Sequence, residues 1–548
     1  MEKINVKTIS SLEKVLPLRE ISVTELTGAS CLIKERFSYQ IALLGAPSFQ
    51  MAKRLNIVIS SDLKEKIKIY EIGNVPVNMP AYSNQCDNRY ITREASVIPD
   101  VLTESDGTIS VSGNAYRSIW VEVDADTNPG MHEIKISFED DEGIYGESVL
   151  ALKVVAAELP KQSFIFTQWF HSDCISSYYG FEPLSENHWD YIEKFIKMAV
   201  SNGINMILTP IFTLPLDTKI GGERPTVQLV DVRYENGKYT FTFDKLLRWI
   251  DICRRAGVEF LEISHLFSQW GAKYSPKIEV AENGKRIKKF GWHTPSESEE
   301  YKDFLAQFLP ELTAVIGENW DSSKVYFHLS DEPPADRIES YGEIYKFIKP
   351  YILNFNLMDA MSDYEIYKKG YIDTPVSTIG KINDFIEKGV DNLWGYYCCG
   401  EGDRNLSNRF ISMPSYRNRI IGIQLYKYGI KGFLHWGYNF YYSQYSTKLI
   451  NPFITNDSDG GFPSGDAFSV YPGKNGPLAS LRLFVFYEAL QDMRALKVLE
   501  DLIGKEEVVE LIDRCGEITF NDYPDSAEYI INLRQTVNDL IDENIKKL

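Results

Sequence analysis

The chain has 548 residues, of which 44% are hydrophobic and 13% aromatic, and its formal net charge is −19 at pH 7. A chain of this length exceeds what one hydrophobic core organises, so we expect two or three domains. The acidic excess argues against nucleic acid and against an anionic membrane surface as partners, because both are bound through basic patches.

The N-terminal residues carry no sign of export. The opening MEKINVKTISSLEKVLP has no apolar h-region and no cleavage site, and no run in the chain approaches the length of a membrane span. The seven cysteines are odd in number and show no CxxC spacing. This usage is typical of a reduced compartment and of a protein without a zinc site. We therefore predict a cytoplasmic protein with no membrane partner.

Residues 1–158 have the pattern of an all-β domain. Strand-like runs recur at 54–62, 65–73, 118–126, 132–140 and 147–157. Turn sequences rich in Gly, Asp and Asn separate them at 104–107, 128–130 and 141–143. Short strands with regular turn signals predict an antiparallel β-sandwich.

From about residue 160 strand-like and helix-like runs alternate. The strand-like runs are 164–173, 204–212, 259–267, 325–333, 356–363, 374–380, 391–400 and 431–442, and the fifth and sixth have the weakest patterns. Helix-like segments such as 186–203, 244–258 and 296–317 lie between them, and 478–548 is helical. This alternation predicts a (β/α)8 TIM barrel with a helical C-terminal extension, forming a catalytic domain of residues 159–548. Segment 213–243 reads as a hairpin insertion after the second barrel strand.

Two adjacent acids follow the fourth predicted barrel strand. Asp331 and Glu332 come directly before Pro333 and Pro334, where a strand must end. In such barrels the chemistry lies at the carboxyl ends of the strands. Two neighbouring carboxylates repel each other, so one retains its proton, as a general acid requires. Because successive strand residues point to opposite faces, both acids reach one pocket only if the strand bends or ends there.

Aromatic and polar residues cluster near the ends of the last two predicted strands. Aromatic rings stack on the flat C–H faces of sugar rings, while polar side chains bind hydroxyl groups. Each aromatic residue could equally belong to the core, but their position beyond the strand ends, among Gly and Asn, favours a pocket. His171, after the first strand, is a weaker candidate, and His328 is predicted to be a structural histidine of the barrel. The candidate substrate-binding residues are Trp436, Tyr396, Trp394, Asn439, Asp466, Tyr438, His435 and His171.

Several of these segments together resemble glycoside hydrolase family 123. The matching strings are SDEPP (330–334), LWGYYCCG (393–400), YKYGIKGFLHWGYNFY (426–441), GDAFSVYPG (465–473) and SLRLFVFYEALQDMRAL (480–496). The resemblance implies a β-N-acetylgalactosaminidase in which the 2-acetamido oxygen of the sugar attacks the anomeric carbon and gives an oxazoline-type intermediate. This is an exception to the usual two-carboxylate scheme.

The resemblance also implies a role for individual residues. Glu332 would protonate the leaving oxygen and then activate water. Asp331 would orient the acetamido group and stabilise the positive charge that develops on it. Trp436 would form the floor of the sugar site, and Tyr396, Asn439 and Asp466 would contact the sugar hydroxyls or the acetamido group.

Two alternatives remain open from the sequence. The first is an ordinary retaining β-glycosidase with Glu332 as acid/base and Glu401, in the loop after the seventh strand, as nucleophile. The second is a carbohydrate-binding protein without catalytic activity. In each case the partner is a glycan or glycoconjugate. We predict no cofactor, since the seven histidines form no HxH or HExxH motif and no GxGxxG or Walker-type loop occurs. The oligomeric state, linkage and aglycone stay open.

Overall fold

The N-terminal region of the protein is built from ten strands. The structure is a computed structural model that describes residues 2–49 and 51–547. The strands are β1 (Asn5–Ser10), β2 (Gly28–Ile33), β3 (Arg36–Leu44), β4 (Lys53–Ser60), β5 (Ile67–Val77), β6 (Ser96–Glu104), β7 (Thr108–Val111), β8 (Arg117–Asp124), β9 (Gly130–Asp140) and β10 (Gly143–Glu158).

These strands form two five-stranded sheets that face each other. Their orders are β1-β3-β8-β5-β6 and β2-β10-β9-β4-β7. Inward-facing residues such as Ile41, Val121, Ile136 and Leu152 fill the space between the sheets. The β-sandwich predicted from the turn spacing is confirmed, with one parallel pair, β2 with β10, among antiparallel neighbours.

Strands and helices alternate through the rest of the chain. In order they are β11 (Ile165–Gln168), α1 (Ser172–Tyr179), α2 (Glu186–Ser201), β12 (Met206–Thr209), β13 (Asp231–Glu235), β14 (Lys238–Thr242), α3 (Asp244–Ala256), β15 (Phe260–Ile263), β16 (Ile278–Glu282), β17 (Lys285–Phe290), α4 (Glu299–Asn319), β18 (Val325–Phe327), α5 (Ile338–Ile348), β19 (Asn356–Ala360), α6 (Tyr364–Lys368), β20 (Thr374–Thr378), α7 (Asn383–Ile386), β21 (Trp394–Tyr396), α8 (Ser415–Lys427), β22 (Gly432–His435), β23 (Val470–Gly473), β24 (Gly476–Ala479), α9 (Leu481–Ile503), α10 (Lys505–Ile512) and α11 (Ala527–Ile545).

Eight of these strands close into a parallel barrel. The order is β11-β12-β15-β18-β19-β20-β21-β22, and β22 pairs with β11 to complete the ring. The predicted (β/α)8 barrel is confirmed, including its fifth and sixth strands, β19 and β20. The strands are shorter than the predicted runs because the apolar sequence continues past the rim into buried loops; β18, for example, has three residues.

The predicted hairpin insertion is present and is larger than expected. Strands β13 and β14 form the hairpin within 213–243. A second hairpin, β16 and β17, follows the third barrel strand, and the two join through parallel pairing of β13 with β16. The resulting four-stranded sheet brings the loops after β12 and β15 together on one side of the barrel.

The sandwich, the barrel and the C-terminal helices share packing contacts. Trp120 on β8 packs against Phe484 on α9, with ring centroids 5.7 Å apart. Both belong to one apolar cluster that continues into the barrel. The division at residues 158 and 159 into separate domains stays a prediction. No helix in the described part of the chain has the length and apolar character needed to cross a bilayer.

Candidate active site

A cavity of about 260 Å³ opens at the carboxyl ends of the barrel strands. Both acids of the predicted pair line it, together with Tyr396 and Trp436. The other lining residues come from loops after several barrel strands and from the N-terminal region: Tyr82, Trp169, Leu216, Asp217, Gln269, Trp270, Ala360, Cys398, Cys399, Leu434, Gln444, Tyr445 and Phe462.

A left-handed residue brings the two acids to the same cavity. β18 ends at Phe327, so the acids follow the strand and are not part of it. Glu332 has φ 45°, a region that side chains other than Gly rarely adopt. This turn removes the alternation that would send neighbouring strand residues to opposite faces. The strand therefore ends before the two acids, which is the condition under which both can reach one pocket.

The two acids differ in environment. Asp331 is half-buried and Glu332 is exposed to the cavity. Burial raises the pKa of Asp331 well above its ordinary value, and the charges of Glu332 and Asp359 add to this effect, while the charge of His328 opposes it. Because the carboxyl groups interact, the pair titrates as a unit that holds one proton to higher pH than a free aspartate does.

Beneath the pair, His328 lies between two buried carboxylates. Its Nε2 is 2.6 Å from Glu262 Oε1 and its Nδ1 is 3.2 Å from Asp359 Oδ1, and all three side chains are inaccessible to solvent. Burial alone would lower the pKa of His328, but the hydrogen bonds with Asp359 and Glu262 outweigh it and raise the pKa to about 9. The histidine is therefore a cation at neutral pH.

The same network fixes the backbone that carries the acids. Asp359 Oδ2 accepts the Ser330 N–H at 3.2 Å, and the Ser330 hydroxyl donates to the Ser268 carbonyl at 2.9 Å. The Trp270 N–H donates to the Asp331 carbonyl at 2.8 Å. The loop after β15 is thus tied directly to the acid pair.

Tyr396, at the end of β21, contacts the second acid. Its hydroxyl donates a hydrogen bond to Glu332 Oε1. Burial raises the pKa of Tyr396 well above its ordinary value, and the charge of Glu332 raises it further. The phenol therefore stays protonated and acts as a donor beside the acid pair.

Trp436 forms a half-buried wall of the cavity and is held from behind. Its Nε1–H donates to Asp466 Oδ2 at 2.9 Å, and its ring packs edge-on against Phe462. Burial raises the pKa of Asp466 to about 7. His435 Nδ1 accepts a hydrogen bond from Arg409. Asp466, His435 and Arg409 thus form a polar layer behind the tryptophan.

Asp466 and His435 therefore stand in a supporting position. Both are inaccessible to solvent and neither lines the cavity. Burial and the charge of Arg409 lower the pKa of His435 well below its ordinary value, so the ring is neutral.

Four other predicted binding residues lie in the protein interior. Trp394 is fully buried against Tyr326 of the barrel, and the Tyr438 hydroxyl donates to the Phe195 carbonyl. Asn439 and His171 are also fully buried, and Asn439 Oδ1 accepts the His171 N–H at 2.8 Å.

None of these four lines the cavity. The sequence pattern placed them near strand ends, but it did not distinguish side chains that point into the cavity from those that point into the packed layers. The hydrogen bonds between Asn439 and His171 join the loops after β22 and β11. Substrate contact by these four residues stays a prediction.

Glu401, the nucleophile of the two-glutamate alternative, accepts hydrogen bonds from strand β20 and from its own loop. Its Oε1 accepts from Thr378 Oγ1, and its Oε2 accepts the Cys398 N–H at 2.9 Å. Its side chain is buried and does not line the cavity. The carboxylate therefore holds the turn after β21 against the end of β20.

Sequence reasoning missed most of the cavity rim. Trp270, Gln269 and Asp217 lie in loops after β15 and β12, and Tyr445 follows β22 by ten residues of irregular chain. Tyr82 comes from the N-terminal region, and its hydroxyl donates to the Gly461 carbonyl at 2.7 Å. The one available signal was aromatic residues in loops next to Gly, as in Trp270-Gly271.

Strained backbone concentrates at the cavity. Asp217, Trp270, Glu332 and Tyr445 all line it, and all have positive φ, at 37°, 57°, 45° and 60°. Conformations of this kind persist where surrounding contacts enforce them, and they cluster at functional sites. Within the described residues, no group of three or more His, Cys, Asp or Glu side chains is arranged to hold a metal ion.

Comparison with known proteins shows which family and fold the chain resembles. The family profile described as Glycoside hydrolase 123, catalytic domain, matches residues 169–499. A family 123 glycoside hydrolase from Clostridium perfringens, studied for glycolipid glycan hydrolysis, aligns over 100% of this chain and 98% of its own with a TM-score of 0.70 and 16% sequence identity. A family 39 glycoside hydrolase from Bacteroides cellulosilyticus WH2 aligns over 88% and 82%, with a TM-score of 0.34 and 12% identity. No curated protein sequence matches significantly.

Proposed function

The chain belongs to glycoside hydrolase family 123, and on this basis we propose that it releases terminal β-linked N-acetylgalactosamine from glycans by a substrate-assisted mechanism. The observation that carries the proposal is the adjacent pair Asp331 and Glu332 in one cavity walled by Trp436. Two carboxylates at neighbouring positions cannot flank a sugar ring from opposite faces, as a two-carboxylate mechanism requires. A nucleophile supplied by the substrate removes that requirement.

In the first step the 2-acetamido carbonyl oxygen attacks the anomeric carbon. The bond from that carbon to the leaving oxygen breaks, and Glu332 transfers its proton to the leaving oxygen. Asp331 accepts a hydrogen bond from the acetamido N–H and stabilises the positive charge of the oxazolinium ring. The half-buried position of Asp331 strengthens this interaction, since the local dielectric is lower than in water.

Substrate binding favours the ionised form of Asp331. In the unliganded site burial raises the pKa of Asp331, so this carboxyl group holds its proton to higher pH than a free aspartate does. A hydrogen bond from the acetamido N–H favours its ionised form. Glu332, which is exposed to the cavity, is the carboxyl group placed to protonate the leaving oxygen.

In the second step Glu332, now ionised, removes a proton from water. The water oxygen attacks the anomeric carbon, the oxazoline ring opens, and the acetamido group is restored. Two inversions at the anomeric carbon retain its configuration. Trp436 stacks on the sugar face and Tyr396 donates to the sugar or to the acetamido group.

The C. perfringens relative hydrolyses glycolipid glycans. We propose the same general class of donor here, a glycan or glycoconjugate with a terminal 2-acetamido sugar. This assignment rests on kinship.

The test compares nitrophenyl 2-acetamido-β-galactoside with nitrophenyl β-galactoside for the wild type, Asp331→Asn and Glu401→Gln. We expect hydrolysis of the acetamido sugar alone, with kcat/KM reduced about 10²-fold or more by Asp331→Asn and little change in Glu401→Gln. Hydrolysis of the plain galactoside that survives Asp331→Asn and is lost in Glu401→Gln would instead establish the two-glutamate mechanism. Absence of hydrolysis with retained sugar binding would favour the binding protein.

A further inference from the structure

The cavity contains two cysteines that are neighbours in the chain. Cys398 and Cys399 follow β21, both are half-buried, and both line the cavity. None of the other five cysteines has a cysteine beside it in the sequence. In an extended chain successive side chains point to opposite faces. The loop after β21 is bent at this point, so both thiols open into the same cavity.

Hydrogen bonds hold the backbone of this dithiol in place. The Cys398 N–H donates to Glu401 Oε2 at 2.9 Å, and the Cys398 carbonyl accepts from Asn408 Nδ2 at 2.8 Å. Glu401 in turn accepts a hydrogen bond from Thr378 at the end of β20. The pair is therefore positioned before any ligand arrives, which lowers the entropic cost of a ligand that needs both thiols at once.

The surroundings of the dithiol do not suit a divalent cation. A hydrogen bond with Cys399, burial and the charges of Glu401 and Glu332 raise the pKa of Cys398 well above its ordinary value. Zinc needs deprotonated sulfur and a set of three or four protein ligands. Among the described residues, no group of three or more His, Cys, Asp or Glu side chains is arranged to hold a metal ion. A ligand for this pair must be neutral and must need only two thiols.

We propose that Cys398 and Cys399 form a binding site for trivalent arsenicals with one organic substituent, R–As(OH)2. Arsenic forms one bond to each sulfur, and each displaced hydroxyl group leaves as water with the proton of a thiol. Arsenic stays trivalent, so no oxidant or reductant takes part. The ligand is neutral, takes sulfur as a soft donor, and is complete with two thiols.

The rest of the cavity suits the organic substituent. Tyr82, Trp436 and Phe462 line the same cavity as the two cysteines, and their rings offer apolar faces to an aryl group. Glu332 lines it as well, so an arsenical bound to the dithiol takes up space beside the acid pair. Bound arsenical and substrate should therefore exclude each other. This catalytic consequence rests on the proposed function, whereas the binding itself does not.

Phenylarsine oxide, which is phenylarsonous acid in water, is the probe. Native mass spectrometry of the folded protein should show one phenylarsine group per chain, with the loss of two titratable thiols. Cys398→Ser and Cys399→Ser should each weaken binding about 10²-fold or more, because a single thiol cannot close the chelate ring. Cys515→Ser, which removes an exposed cysteine, is the matched control and should bind like the wild type.

Two further measurements separate this site from other modes of binding. The affinity should be the same at pH 6 and pH 8, since the exchange of thiol for hydroxyl releases water and no proton, whereas a metal cation would bind more tightly at the higher pH. The dithiol 2,3-dimercaptopropanol should remove the arsenical, and the monothiol 2-mercaptoethanol should not. Full binding in either cavity serine variant, or release by the monothiol, would overturn the proposal.

Should a serine variant not fold, footprinting of the wild type decides the question. Phenylarsine oxide should protect both cysteines of the tryptic peptide 389–404 from iodoacetamide at pH 8.5, and alkylation of that peptide at the unprotected rate would contradict the site.

Activity gives a separate readout. Hydrolysis of the nitrophenyl 2-acetamido-β-galactoside should fall in step with binding, and full hydrolysis by the loaded protein would contradict a site within the catalytic cavity. A wild type that hydrolyses no donor would be a failure of the proposed function, and the mass measurement would still decide the arsenical site.

Discussion

At the scale of single residues, the site depends on a pair of acids that the fold does not favour. Glu332 adopts a left-handed backbone, which costs about 1–3 kcal/mol, and Asp331 is half-buried beside it. The free energy of unfolding is therefore lower than it would be with a neutral residue at position 331 and a glycine at position 332. Catalytic sites commonly trade stability for function in this way.

Asp331→Asn should therefore raise the melting temperature at neutral pH while it removes activity. The folded-state pKa of Asp331 lies above its ordinary value of about 3.9, so ionising it destabilises the fold as the pH rises from about 4 through that raised pKa. The increase in melting temperature over the wild type should be absent near pH 4 and about 1–3 °C at pH 8. Thermal melts at both pH values test this, with the exposed Asp391→Asn as control. An equal shift at both pH values would contradict it.

Alkylation of the cavity thiols should inactivate the enzyme. Cys398 and Cys399 both line the cavity and are half-buried. A hydrogen bond with Cys399, together with burial, raises the pKa of Cys398 well above its ordinary value, so its reaction should be slow at pH 7 and accelerate as the pH rises. Residual activity after iodoacetamide treatment, with and without N-acetylgalactosamine as protectant, measures this. Inactivation that disappears in Cys515→Ser would assign the effect to the exposed cysteine instead.

Residue roles near strand ends were only partly predictable. Asp331, Glu332, Tyr396 and Trp436 lie where strand-end reasoning put them, in the cavity. Asn439 was placed there by the same reasoning but points into the packing. The pattern of apolar residues predicts which residues lie close to a strand end. The conformation of the loop beyond the strand decides which way each side chain points.

At the scale of elements, three neighbouring barrel strands meet through a charged cluster. Glu262 lies on β15, His328 directly after β18, and Asp359 on β19. Glu262 also accepts hydrogen bonds from Thr167 on β11 and from the Trp169 Nε1–H at 2.7 Å. The cluster links four strands directly beneath the cavity floor. It therefore sets the positions from which the acids project.

His328→Leu should destabilise the protein strongly, because it leaves two buried carboxylates without a cation. Breaking such a pair costs about 3–5 kcal/mol. The pKa of His328 is raised to about 9, so its contribution is complete below its ordinary pKa of about 6.5 and is lost as the pH rises through about 9.

Urea unfolding at pH 6 and at pH 9.5 measures this difference. The gap between wild type and His328→Leu should be largest at pH 6 and smaller at pH 9.5, whereas His293→Leu, at an exposed histidine, should show no such gap. A gap that widens with pH would contradict a protonated His328.

Most elements were predictable and their ends were not. The eight barrel strands follow from apolar runs between helical segments, but each run continues beyond its strand because the loops are also buried. The hairpin β16–β17 was missed because its sequence, rich in Lys and Glu, has no apolar alternation on its outer strand. Its pairing with β13 is a long-range contact that local patterns do not encode.

At the scale of the whole molecule, the N-terminal sandwich supports the catalytic barrel. Asp100 on β6 forms a buried ion pair with Arg482 on α9, at 3.0 Å. Arg482 also donates to the carbonyls of Gly465 and Phe468, which flank Asp466 behind Trp436. Contacts therefore run from the sandwich to the cavity wall, a connection between distant segments that the sequence did not predict.

Asp100→Ala should both destabilise the protein and weaken substrate binding. It leaves the buried Arg482 without its carboxylate, at a cost of about 3–5 kcal/mol, and it loosens the segment that holds Trp436. We expect a lower melting temperature and a KM raised severalfold with a smaller change in kcat. Glu104→Ala, at an exposed position on the same strand, is the control. An unchanged KM in a destabilised Asp100→Ala variant would limit the ion pair to a structural role.

The measurement that tests the central claim most directly is the rate of hydrolysis across substrates whose N-acetyl group carries zero, one, two or three fluorine atoms. Fluorine withdraws electrons from the amide oxygen and weakens it as a nucleophile, while the leaving group stays the same. If the substrate's own acetamido group attacks the anomeric carbon, kcat/KM falls steeply with each fluorine, and the trifluoro substrate is barely hydrolysed. A rate that is independent of fluorination would contradict substrate assistance and would require a nucleophile from the protein.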